Sequence, residues 1–135
     1  EFDFIPLGDT LSFNYVFASE EYNEYVCSGF NDVFGFFLTG NNPLGGTYNS
    51  QNIALVPDPA SPGTFTNTAV AINTINNGSA GFNGTTATCN AIDPNWTTYS
   101  VFYQNHPGAA NYQYDGRTVS LPVIAPVVCG LTYHI

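Results

Sequence analysis

Leu11-Ser12-Phe13-Asn14-Tyr15-Val16-Phe17-Ala18 places large apolar residues at the odd positions and, Val16 apart, small or polar ones at the even positions. Successive side chains of a strand point to opposite faces, so this period of two specifies a half-buried strand with an aromatic inner face. Downstream, Val33 to Leu38 is unbroken apolar sequence, which predicts a central strand buried on both faces. The connection between them, Ser19 to Asp32, holds four of the chain's ten carboxylates: Glu20, Glu21, Glu24 and Asp32. Acids concentrated between two buried strands must be solvated, hydrogen-bonded or shared with a cation. That makes the connection the first place to look for function.

Working outward, Ile53–Val56 reads as a short strand stopped by Pro57 and Pro59, and Ala69–Ile75 as another ending in Asn76-Asn77-Gly78. Tyr99–Tyr103, Thr118–Val123 and the segment from Leu131 continue the series. No helical stripe appears beyond one possible turn at Glu20–Val26. Short strands at this spacing predict an all-β fold of β-sandwich or jelly-roll type, in one domain over residues 1–135. Between Asn76 and Asn95 a Gly/Asn/Thr-rich stretch without periodicity reads as a long insertion, a kind of segment that is often functional. Both ends fall inside strand patterns, Phe2 and Phe4 alternating with acids and Leu131–Ile135 lacking a polar tail. The expectation is therefore an incomplete domain with strands missing on both sides.

Charge narrows the partners. Arg117 is the only basic side chain besides two histidines, against ten acids, for a net charge of −9. Nucleic acid needs several Lys or Arg to neutralise phosphates, and an anionic membrane would repel this surface. No apolar run approaches membrane-spanning length, so direct insertion is not expected. With 44% hydrophobic and 16% aromatic residues the chain is no disordered segment, and its solubility rests on Ser, Thr, Gln and sixteen asparagines. Cations, neutral glycans and proteins remain. Cys27, Cys89 and Cys129 allow one disulfide with one thiol left over, and the spacing leaves all three pairings open.

Three kinds of site are candidates. Glu20, Glu21 and Asp32, with Glu24 and Asn31 nearby, are hard oxygen ligands of the type Ca²⁺ takes, although the spacing is not that of an EF-hand loop. Trp96, Tyr99, Tyr103, Tyr112 and Tyr114 surround the Asn-rich stretch and would suit the stacking of a glycan, as well as the filling of a core. Glu20 and Asp32 would serve a glycoside hydrolase only if they faced each other across about 5–9 Å. His106 and His134 have no second ligand at zinc spacing, and neither a nucleophile elbow nor a dinucleotide-binding glycine motif is present. A non-catalytic protein is expected.

Phe13-Asn14-Tyr15-Val16-Phe17-Ala18-Ser19-Glu20-Glu21-Tyr22, followed by Phe30-Asn31-Asp32-Val33-Phe34-Gly35-Phe36-Phe37-Leu38, resembles the choice-of-anchor L domain family. The likeness continues through Asn52–Pro57, Val70–Thr74, Tyr114-Asp115-Gly116 and Cys129 through His134. It implies an extracellular module of multidomain bacterial surface proteins, mainly from the Bacteroidetes, exported in most cases by type IX secretion. Such a module would serve adhesion or surface assembly. Its partners would be other domains of the same protein, cell-surface proteins or glycans. A carbohydrate-binding module is one alternative, and a filament subunit that self-associates through open edge strands is another.

Overall fold

The structure is a computed structural model and describes residues 1–106 and 113–135. Its strands are β1 (Asp3–Phe4), β2 (Thr10–Tyr15), β3 (Ala18–Ser19), β4 (Phe37–Asn41), β5 (Thr47–Asn52), β6 (Leu55–Pro57), β7 (Phe65–Ala69), β8 (Tyr103–Asn105), β9 (Gly116–Thr118), β10 (Leu121–Pro126) and β11 (Tyr133–His134). One short helix, α1 (Thr86–Ile92), and a 3-10 segment (Trp96–Phe102) lie between β7 and β8. Among the described residues the strands form small antiparallel sheets ordered β1-β11-β4-β5, β10-β2, β3-β9-β8 and β6-β7. The all-β class is borne out. A two-layer sandwich is a finer statement than these pairings make.

The deciding stretch folds as read. Leu11, Phe13 and Tyr15 share one face of β2, and the register pairs them with Ala125, Val123 and Leu121 of β10. Phe36 meets Phe13 edge-on at 4.8 Å, and Phe34 stacks on Tyr15 at 4.8 Å. Val33–Leu38, however, is not a strand buried on both faces. Phe34, Phe36 and Leu38 turn inward, whereas Val33 is 62% exposed and Phe37 is exposed as well. Only Phe37 and Leu38 of this run enter β4, while Val33 makes an isolated bridge to Ala71. An unbroken apolar run cannot report which of its residues face solvent, and here one face alone is covered.

Two other segments depart from the expected strands. Val70–Asn76 is buried throughout but leaves the strand after β7, because Thr74 Oγ1 accepts from the Ala71 N–H (2.9 Å) and donates to the Ala69 carbonyl (2.9 Å). Such local side-chain bonds close a turn where a strand would continue. Tyr99–Phe102 belongs to the 3-10 segment.

The buried apolar side chains divide into two clusters. One gathers Phe17, Tyr22, Val26, Val56, Val70, Ile72, Ile75, Trp96, Tyr99 and Leu121 around Cys27 and Cys89. The other packs Leu38, Tyr48, Ile53, Val123, Ala125, Val127 and Tyr133 between β4, β5 and β10. Tyr15 touches both. The first cluster carries the acidic loop and so positions the candidate site.

Candidate functional site: an asparagine-lined cleft on the acidic loop

The acidic loop is tied down by one buried asparagine. Cys27 sits in the left-handed region at φ 63°, a conformation that costs an L residue about 1 kcal/mol or more. Asn73, 1% exposed, receives the Cys27 N–H on Oδ1 and donates from Nδ2 to the Ser28 carbonyl at 2.9 Å. The Asn73 N–H in turn donates to Asn31 Oδ1 at 3.1 Å. Deeper in the loop the Tyr22 ring is fully buried, and its hydroxyl donates to the Ile75 carbonyl at 2.7 Å. Burial pushes that hydroxyl's pKa well up, with Tyr103 and Asp32 adding to the rise.

The Asn76–Asn95 stretch is part of the same construction rather than a loose insertion. The N–H groups of Gly81, Asn83 and Thr85 donate to the carbonyls of Val26 (2.9 Å), Glu24 (3.0 Å) and Cys27 (2.9 Å). This contact requires glycine. A Cβ at Gly84 would lie 2.0 Å from the Val26 carbonyl oxygen, and one at Gly81 would lie 2.1 Å from that of Asn23. Of the three possible pairings the Cys27–Cys89 disulfide forms, joining the loop to α1, while Cys129 is a free, exposed thiol. The Gly81-Phe82-Asn83-Gly84 pattern within the Asn-rich stretch is the one sequence signal that could have located this contact.

The expected metal ligands lie on a loop held by Ser19. Asp32 Oδ2 accepts from Ser19 Oγ at 2.6 Å, and that same Oγ accepts the Glu21 N–H at 2.9 Å. Glu20 and Asp32 are exposed and Glu21 is half-buried. Among the described residues no group of three or more His, Cys, Asp or Glu side chains is arranged to hold a metal ion. Of the ways such acids can be accommodated, Ser19 supplies hydrogen bonds to this loop.

The aromatic candidates separate in a similar way. Trp96 and Tyr99 are each 2% exposed, and core contacts cover their faces. Trp96 Nε1 donates to Asn90 Oδ1 at 2.9 Å, and the Tyr99 hydroxyl donates to Asp93 Oδ2 at 2.8 Å. These two rings fill the core, as large rings in a β-rich domain commonly do. Tyr112 lies outside the described residues. Tyr114 is half-buried and stacks on His106 at 5.0 Å. Tyr103, also half-buried, donates its hydroxyl to Asn23 Oδ1 at 2.8 Å.

Asp93 went unremarked in the sequence, yet it is the buried carboxylate of this region. Oδ2 accepts from Thr68 Oγ1 (2.6 Å) as well as from Tyr99, and Oδ1 accepts the Asn95 N–H (2.8 Å). Burial alone would raise the Asp93 carboxyl, but hydrogen bonds from Thr68, the Asn95 backbone and Tyr99 outweigh it and hold the group below its ordinary value. Burial first, and then the bond to Asp93, push the Tyr99 hydroxyl up to about 12.

Tyr103 leads to a cleft of about 490 Å³ between the acidic loop, the Asn77–Phe82 segment and the end of β8. Asn23 is its hub. Its Oδ1 accepts from Asn77 Nδ2 (3.2 Å) as well as from Tyr103, and its Nδ2 donates to Asn105 Oδ1 (3.1 Å). Glu24 and Asp115 add carboxylates to the lining, and Phe82 is the exposed aromatic beside them, 95% accessible. Carboxamides can donate and accept hydrogen bonds but do not supply protons or nucleophiles at neutral pH. Sequence reading passed over Asn23, Asn77, Asn105 and Phe82, because nothing in sixteen asparagines marks the three that meet.

Fold and cleft together define an all-β, disulfide-clamped module with a polar cleft. The choice-of-anchor L domain model matches residues 1–135, and the chain belongs to that family. Membership marks it as a surface-associated, extracellular module, and the disulfide suits an oxidising compartment. Comparison with curated proteins and with solved structures yields no match.

Proposed function

We propose that this chain is a non-catalytic contact module of a cell-surface protein, serving adhesion or surface assembly through the asparagine-lined cleft. The observation that carries this reading is the hydrogen-bonded set of Asn23, Asn77, Asn105 and Tyr103, held in place before any ligand arrives. Preorganised polar groups spare a binding site the entropy of ordering them. The bonding of Glu21 and Asp32 to Ser19 fits a loop that presents the cleft. Protease treatment of intact cells that make the protein should release it; resistance until the cells are lysed would overturn the surface reading. Incubation with a panel of polysaccharides should liberate no new reducing ends, and liberation would overturn the non-catalytic part. Melting in CaCl₂ should coincide with melting in EDTA if the Ser19 hydrogen bonds to Asp32 and the Glu21 N–H suffice to hold the loop. A rise of several degrees with calcium would favour a metal held by Glu20, Glu21 and Asp32 instead.

A further inference from the structure

We infer that the cleft takes a neutral, hydroxyl-rich glycan, with Phe82 as the face against which a sugar ring lies. The inference rests on reading the cleft as the contact surface and names its ligand.

Phe82 is held out in solvent by construction. It occupies a turn closed by the Gly84 N–H donating to the Gly81 carbonyl at 3.1 Å, and both glycines are pressed against the acidic loop's backbone. The neighbouring Gly81, Asn83 and Thr85 N–H groups all bond to that loop, and the disulfide anchors the far side of the turn. The large aromatic side chains of the adjacent core are buried or partly buried, so this ring is set apart from them. An exposed aromatic on a stiff turn loses little freedom when it meets a ligand, which suits it to anchor one.

The polar lining selects the ligand's charge. Glu24 and Asp115 face the cleft together with the His106 imidazole, and no Lys or Arg is among its described lining residues. A phosphate, sulfate or uronate would therefore meet two carboxylates with a single imidazole to set against them. Sugar hydroxyls both donate and accept, which matches carboxylates that accept and carboxamides that do both. Asn105 is exposed, and its Nδ2 has no partner among the described residues, because only its Oδ1 is used by Asn23 and Tyr103. Asn23, by contrast, is committed on both ends and acts as a positioning residue for Asn105 and Asn77.

The test is a microarray carrying neutral β-glucans, mannans, xylans and galactans beside polygalacturonate and heparin, followed by titration of the best neutral oligosaccharide. Binding should be confined to neutral glycans. Phe82→Ala and Asn105→Ala should each weaken it about tenfold or more, the range in which loss of one anchoring contact falls. Phe82→Trp should retain it, and Leu44→Ala, which removes an exposed apolar side chain outside the cleft lining, should leave it unchanged. Phe82 is exposed, so Phe82→Ala should melt with the unsubstituted chain. Asn105→Ala also removes the acceptor of Asn23 and Tyr103 and should melt slightly lower, and both melts separate lost binding from lost folding. Preference for the acidic glycans, absence of binding to any neutral glycan, or equal weakening by Leu44→Ala would each overturn the inference. The surface reading is judged separately by protease access on intact cells: glycan failure with intact access removes only the ligand assignment.

Discussion

The two packed regions of this molecule solve the same problem with different chemistry. All the buried polar or charged residues among the described ones (Ser19, Ser28, Asn73, Thr74, Asn76, Asp93 and Thr118) lie in the acidic loop, the Val70–Asn76 segment, the Asn76–Asn95 stretch and β9. The region built on β4, β5, β10 and β11 is closed by aliphatic and aromatic packing and two tyrosine hydroxyls. One has its shape fixed by bonds that tolerate no substitute, the other by apolar area that does. A surface that must present particular atoms needs the first kind, and the cleft stands there.

The largest expected difference between the regions comes from the disulfide. Cys27 and Cys89 are 62 residues apart, and in the chain-entropy account a loop of that size contributes about 4 kcal/mol. Urea unfolding of Cys27→Ala/Cys89→Ala should show a loss of that order, whereas Cys129→Ala should show almost none because that thiol is free and exposed. Equal small effects would mean that the loop is held without its clamp. Next comes Asn73→Ala, which strands the Cys27 N–H and the Ser28 carbonyl in the interior. About 2 kcal/mol should be lost, and more if both groups stay dry. A loss under 0.5 kcal/mol, on the order of an exposed surface change, would break the claim that bonds define this region.

How much of this was legible follows the same division. The period of two in Leu11–Phe17 names its own inner face, and β2 with its β10 partner came out as that pattern requires. Asn73 could not be read, because its importance lies in Cys27 and Ser28, 46 and 45 residues away. Trp96 and Tyr99 stayed open for a related reason: an aromatic side chain serves a core or a ligand, and only packing separates the two. β5 went unseen because Thr47–Asn52 is almost wholly polar, its one buried residue being Tyr48.

Acid should act on the first region through Asp93. Its folded pKa lies below the ordinary carboxylate value of 3.8, so its stabilisation is fully present above that value and is lost as pH falls through the lower, folded one. Asp93→Asn cannot titrate. The variant should be less stable than the original chain at pH 7, and the gap should narrow as pH falls below about 4. Chemical denaturation at pH 7, 4 and 2.5 measures it; a constant gap would assign the acid limb to other carboxylates.

The smallest effects test the boundary between the regions, where two tyrosines have opposite standing. The Tyr133 hydroxyl, in the apolar region, donates to the Asn41 carbonyl at 2.7 Å and accepts the Val128 N–H at 2.8 Å. Tyr133→Phe leaves both groups without that partner and should cost about 1 kcal/mol. Tyr15 touches both clusters, and its hydroxyl is buried with no hydrogen-bond partner among the described residues. Burial pushes that hydroxyl's pKa well up, the mark of a polar group that has lost water and gained nothing in return. Its ring is held by stacking on Phe34 and by the edge of Phe36, contacts that phenylalanine would keep. Tyr15→Phe should therefore be neutral or slightly stabilising in thermal and urea unfolding, since it removes a desolvated group and no bond. A loss as large as that of Tyr133→Phe would mean that the hydroxyl is satisfied in solution, and that the bonded region extends through Tyr15 into the apolar one.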